Sequence, residues 1–75
     1  MERYLNHSGS SGVAAYQIGE DYIWVQFTSR SIYEYTYSSA GTRNIEEMKS
    51  LANSGSGLNS FIMKNVRNKY SRKIQ

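Results

Sequence analysis

Five cations stand within ten residues near the C-terminus: Lys64, Arg67, Lys69, Arg72 and Lys73, with no acid among them. Clustered lysines and arginines neutralise phosphates and release condensed counterions, which gives a salt-sensitive attraction to nucleic acid. The charge is not spread along the chain. Residues 1–60 hold four basic and six acidic side chains and the last fifteen residues hold five basic ones, so a slightly acidic body carries a basic end and the net charge is +3. The bland alternative is a solvated helix end with a basic tail, because charge patches speak to association and solubility rather than to fold.

Stacking is the second chemistry on offer. The 75 residues include seven tyrosines, one tryptophan and two phenylalanines. Such rings fill a core when buried and stack on unpaired bases when exposed on an open sheet. Trp24 is the ring best suited to stacking, since its strand neighbours Tyr22 and Gln26 share a face that is less apolar than the other. The N-terminal segment, through Tyr4 and Leu5, is the alternative cover for that face.

Ser54-Gly55-Ser56-Gly57, ahead of a helical pattern, offers backbone N–H groups and hydroxyls for an anion contact. It lacks the lysine followed by serine or threonine of a nucleotide-binding loop and does not follow a strand. A glycine-serine turn between two helices explains the same residues. Catalytic chemistry has fewer ingredients still. His7 is the only histidine, cysteine is absent, and the carboxylates Glu20-Asp21 and Glu46-Glu47 are adjacent in sequence rather than set across a cleft. No catalytic residue, metal ligand, cofactor or small-molecule substrate is expected, and the chain reads as a non-enzyme.

The elements that must position these residues follow from periodicity. Residues 13–18 form a first strand with Ala14, Tyr16 and Ile18 on one face, followed by a turn at Gly19-Glu20-Asp21. Tyr22 to Thr28 alternate in twos, with Ile23, Val25 and Phe27 opposite Tyr22, Trp24 and Gln26. After the polar break Thr28-Ser29-Arg30-Ser31, residues 32–37 resume the alternation and add a Tyr33, Tyr35, Tyr37 stripe to the apolar face. The other face mixes Tyr22, Trp24, Gln26, Ile32, Glu34 and Thr36, and should meet solvent or a partner.

Beyond Gly41 the period changes to that of a helix. Ile45, Met48, Leu51 and Ala52 share one stripe, Thr42 or Asn44 supplies a cap, and Glu46 and Glu47 suit the N-terminal dipole. A second helix places Leu58, Phe61, Ile62, Val66 and Tyr70 on its apolar side, with Lys64, Arg67 and Lys69 flanking them. The expected fold is α+β: a three-stranded antiparallel meander followed by two helices packed on one face, in the order β-β-β-α-α. Residues 1–12 read as a flexible lead-in, 13–70 as the single domain and 71–75 as a basic tail.

Several of these segments together are similar to a known family. Ser10-Ser11-Gly12-Val13-Ala14-Ala15, the Tyr33-Glu34-Tyr35 motif, and Ser54-Gly55-Ser56-Gly57-Leu58-Asn59-Ser60-Phe61-Ile62 running on to Val66-Arg67-Asn68-Lys69-Tyr70 resemble the KTSC domain over about residues 10 to 70. That domain occurs at the C-terminus of some lysyl-tRNA synthetases and as a small stand-alone bacterial protein. The resemblance implies a small α+β fold and a lean toward RNA. The proline common before the family's first helix is replaced here by Ala40-Gly41-Thr42, which puts the start of that helix in question.

Size and composition set the outer bounds. A chain this short hides only about 60% of its unfolded surface, which leaves no room for a deep active-site cleft. Without cysteine, a reducing cytoplasm is the default setting, and the resemblance implies a bacterial or phage source. The longest apolar runs are far below the ~20 residues that cross a bilayer, and no export signal is expected. The functional expectation is a non-enzymatic module that binds RNA or another single-stranded nucleic acid through the five C-terminal cations and Trp24. The alternative is a protein-interaction module, including one that pairs with a second copy of itself.

Overall fold

The computed structural model describes all residues from Met1 to Gln75. Its sheet has five antiparallel strands in the order β1-β2-β3-β4-β5: β1 (Glu2–Arg3), β2 (Val13–Ile18), β3 (Tyr22–Phe27), β4 (Ile32–Thr36) and β5 (Arg72–Lys73). The three central strands are the expected meander. The two edges correct the expectation of three strands. Glu2 pairs with Tyr16 and Arg3 with Ala15, while Tyr33 pairs with Lys73 and Glu34 with Arg72. Two-residue strands carry no readable period, and they form because β2 and β4 otherwise present unpaired backbone groups.

Both ends of the chain are therefore part of the fold. Tyr4 is 3% exposed in the core, its N–H donates to the Ala14 carbonyl, and its hydroxyl accepts the Leu58 N–H at 3.3 Å. At the other end the Ser71 N–H donates to the Glu34 carbonyl at 2.6 Å and the Ile74 N–H to the Ile32 carbonyl at 2.7 Å.

Strand β2 departs from the simple alternation. Val13 opposes Phe27 and Ala15 opposes Gln26, which leaves Ala14 as the extra residue of a β-bulge. The bulge turns Val13 to the covered face in place of the expected Ala14, while Tyr16 and Ile18 keep the expected face, opposite Val25 and Ile23. Val13 is 1% exposed, whereas Ile18, at the end of the strand, is 37% exposed.

Strand β4 ends one residue earlier than its period suggests, at Thr36, and the helical part begins there. Thr36 Oγ1 accepts the Ser39 N–H and Ser39 Oγ accepts the Thr36 N–H, both at 3.0 Å, a reciprocal capping box. It starts a single turn, α1 (Tyr37–Ala40), and so removes Tyr37 from the tyrosine stripe. Gly41, at φ 93°, breaks the chain before α2 (Thr42–Ser54), so that neither Thr42 nor Asn44 is its cap. Ile45, Met48 and Ala52 of α2 are buried, as their spacing predicts. Gly55 ends α2 in the left-handed region.

The last helix, α3 (Leu58–Phe61), continues as a π-helical turn at Ile62–Val66 and stops there, four residues short of the expected Tyr70. Leu58, Ile62 and Val66 are fully buried. They join Ile45, Met48 and Ala52 against Val13, Tyr16, Ile23, Val25 and Tyr35 in one core. Burying each such aliphatic side chain contributes about 1.5–3 kcal/mol. All helices cover one face of the sheet, and the face carrying Trp24 has no helix over it.

Candidate nucleic-acid interface

The β3–β4 hairpin and the exit from the π turn leave a gap at one end of the covered face, because the helix stops at Val66 while β3 and β4 run on. This gap is a cleft of about 500 Å³. Phe27, Tyr33, Tyr35 and Tyr70 supply its aromatic walls. Met63, Arg67 and Asn68 close it from the helical side, and Thr28, Ser29 and Ser31 add hydroxyls at the hairpin.

The rings meet edge to face. Phe27 and Tyr33 stand 5.9 Å apart at 74°, Tyr33 and Tyr70 stand 4.7 Å apart at 63°, and Tyr35 and Tyr70 stand 6.4 Å apart at 89°. Edge-to-face contacts of this kind hold the rings in place, and Tyr70, 42% exposed, is the most open of them. Tyr35 is the anchored member, 2% exposed. Burial pushes its hydroxyl up to about 12, helped by the nearby Tyr33 and Tyr70 hydroxyls, so it stays neutral in ordinary solution.

Charge at the cleft has one sign. Arg67 is part of the wall, and Lys73 Nζ lies 5.9 Å from the Tyr33 ring centroid. No carboxylate lines the space. Lys64 and Lys69 are exposed on the same C-terminal segment, and none of Lys64, Arg67, Lys69 and Lys73 is in an ion pair.

Arg72 is different. Its Nε donates to Glu34 Oε1 at 3.1 Å on the opposite face of the sheet. Glu34 also accepts Ser71 Oγ at 2.7 Å and Trp24 Nε1 at 2.9 Å. The Ser71 hydrogen bond, then that of Trp24, hold the Glu34 carboxyl below its usual range, and Arg72 adds to the effect. Trp24 is half-buried, with Tyr22 beside it at 5.9 Å and a tilt of 38°.

Cross-strand pairing explains the division. Trp24 opposes Glu34 and Val25 opposes Tyr33, so Trp24 and Arg72 share the open face while the cleft belongs to the covered one. The residues expected to act together therefore fall into two groups, Trp24 with Arg72 and Arg67 with Lys73. Tyr4 and Leu5 do not cover Trp24. Tyr4 is in the core and Leu5 lies against Gly55. Sequence reasoning missed Phe27, Tyr33, Met63, Asn68 and Tyr70 as site residues. An apolar stripe looks the same whether a helix covers all of it or stops short.

The Ser54-Gly55-Ser56-Gly57 stretch closes α2. Ser54 Oγ donates to the Leu51 carbonyl at 2.9 Å, the Gly55 N–H donates to the same carbonyl at 3.0 Å, and the Gly55 carbonyl accepts the His7 N–H at 2.9 Å. Gly57 lines a small polar hollow with Ser8, Ser10, Ser11, Asn59 and Ser60. No three His, Asp or Glu side chains gather as metal ligands, and no helix is long and apolar enough to cross a membrane. Compared with family models, curated proteins and solved structures, the chain has no match.

Proposed function

We propose that this chain is a small non-enzymatic module that binds single-stranded nucleic acid, RNA foremost. The observation that carries this reading is an aromatic cleft with an arginine in its wall, a lysine over one ring and no carboxylate. An unpaired base offers a π face to Tyr33, Tyr70 or Phe27, and its phosphates suit Arg67 and Lys73, with Lys64 and Lys69 along the flanking backbone. A cationic ligand fits poorly, since Arg67 would repel it. The resemblance to the KTSC domain leans the same way, and the lack of cysteine suits a reducing cytoplasm.

Fluorescence titration with a labelled single-stranded RNA tests the reading. With three or four phosphate contacts, log K falls against log salt with a slope of about −2 to −3. Arg67→Ala with Lys64→Ala, two contacts fewer, flattens that slope by about 1.4. Tyr70→Ala removes about 1–3 kcal/mol of stacking. Absence of binding at ~50 mM salt, well within the range where such contacts are strong, overturns the proposal.

The open face supports a second reading, a protein partner or a second copy of this chain. Tyr22 and Trp24 stand side by side there without a covering helix. Light scattering over a concentration series, with Trp24→Ala for comparison, decides it: a monomer at every concentration removes self-association.

A further inference from the structure

We infer that Glu34, on the open face of the sheet, positions the wall of the aromatic cleft on the covered face by latching the C-terminal strand. The inference rests on the reading of that cleft as the ligand site. Strand β5 has two residues and hangs on β4 alone. A ladder that short at a chain end frays unless side chains tie it down.

Glu34 supplies the tie. Its Oε1 accepts Ser71 Oγ at 2.7 Å and Arg72 Nε at 3.1 Å, and its backbone carbonyl accepts the Ser71 N–H at 2.6 Å. Its Oε2 accepts Trp24 Nε1 at 2.9 Å, which steadies the carboxylate from the neighbouring strand. With the side chain only 14% exposed, these charge-assisted bonds are partly shielded from water.

Strand alternation carries the restraint through the sheet. Tyr70 precedes the latched Ser71 and packs on Tyr33 at 4.7 Å. Lys73 follows the latched Arg72 and brings Nζ to 5.9 Å from the same ring. Tyr70, which lines the cleft, and Lys73, which stands over the ring of another lining residue, therefore flank the Glu34 contacts. Field alone predicts the reverse effect, because removing an acid raises the net charge and strengthens attraction to phosphates.

The test compares the full chain with its Glu34→Gln and Ser71→Ala variants by amide hydrogen exchange and by the NMR shifts of the Tyr33 and Tyr70 rings. Each protein is then titrated with a labelled ten-nucleotide oligouridylate at ~50 mM salt. Release of the latch speeds exchange at the Ser71 and Ile74 amides about tenfold or more, leaves β3 amides unchanged and moves both ring shifts. Affinity for the RNA falls about three- to tenfold in both variants, the size of one lost hydrogen bond. Unchanged exchange at Ser71 and Ile74, or unmoved rings, overturns the latch whether or not RNA binds. Faster exchange with equal or tighter RNA binding overturns its role at the site. If the rings and exchange respond but the unaltered protein ignores RNA, the latch stands and the nucleic-acid reading falls.

Discussion

At Gly55 the backbone leaves α2 with φ at 75°, and a Cβ built there would stand 2.6 Å from Leu5 Cβ. Any side chain meets both a disfavoured conformation and the N-terminal segment. Gly55→Ala should lower stability by about 1–3 kcal/mol, read as a fall in the urea midpoint at constant slope. An unmoved midpoint would show that Leu5 is not packed there. Tyr35 makes a second residue-scale case. Burial first, then its tyrosine neighbours, lift its hydroxyl from 10 to about 12, so the folded chain holds this proton where the unfolded chain loses it. Its contribution to stability is whole below pH 10 and is lost as pH climbs from 10 toward about 12. Ultraviolet titration of tyrosinate should reveal a phase at about pH 12, and Tyr35→Phe should remove that phase while the delayed ionisation of Tyr37, raised by its hydrogen bond to Glu46, persists.

Edge strands depend on whatever ties them, and β5 is tied to a carboxylate. The Glu34 carboxyl sits below its ordinary value of 4.5, held there by Ser71, Trp24 and Arg72, the groups that face it from the segment between helix and strand, from β3 and from β5. A depressed carboxylate contributes stability that is present above the unfolded value and is lost as pH falls through the folded one. Below about 4.5, therefore, β5 should detach before the central strands do, seen as faster exchange at Ser71 and Ile74 while β3 amides stay protected. Release only together with global unfolding would contradict the latch. The helical elements show the other kind of local control. The Thr36–Ser39 capping box and Gly41 divide what period alone reads as strand, loop and one helix into α1 and α2. The π turn that follows α3 ends the helical run early and leaves Met63 and Arg67 at the cleft.

One core cluster of 13 buried residues joins the sheet to the helices, so the molecule has no second unit that could unfold alone. Met48, fully buried at its centre, should cost about 2–5 kcal/mol when changed to Ala, with far-ultraviolet dichroism and Trp24 fluorescence still reporting one coincident transition. Separate transitions would mean that the helices and the sheet are not one cooperative body. Much of this architecture was legible in the sequence. The alternation in 22–27 and 32–36 determined two central strands, the Ile45, Met48, Ala52 stripe determined α2, and the charge count placed the cations at the C-terminus, because periodicity and composition are local properties of the chain. Tertiary structure alone decided the rest. The strands β1 and β5 exist only because β2 and β4 offer them unpaired edges, and the bulge at Ala14 is visible only against the register of β3. The same holds for the candidate site. Cross-strand pairing, a relation between distant residues, put Trp24 and Arg72 on one face and Lys73 on the other, and the early end of the last helix left Arg67 beside a tyrosine stripe that reads as core and became the wall of a cleft.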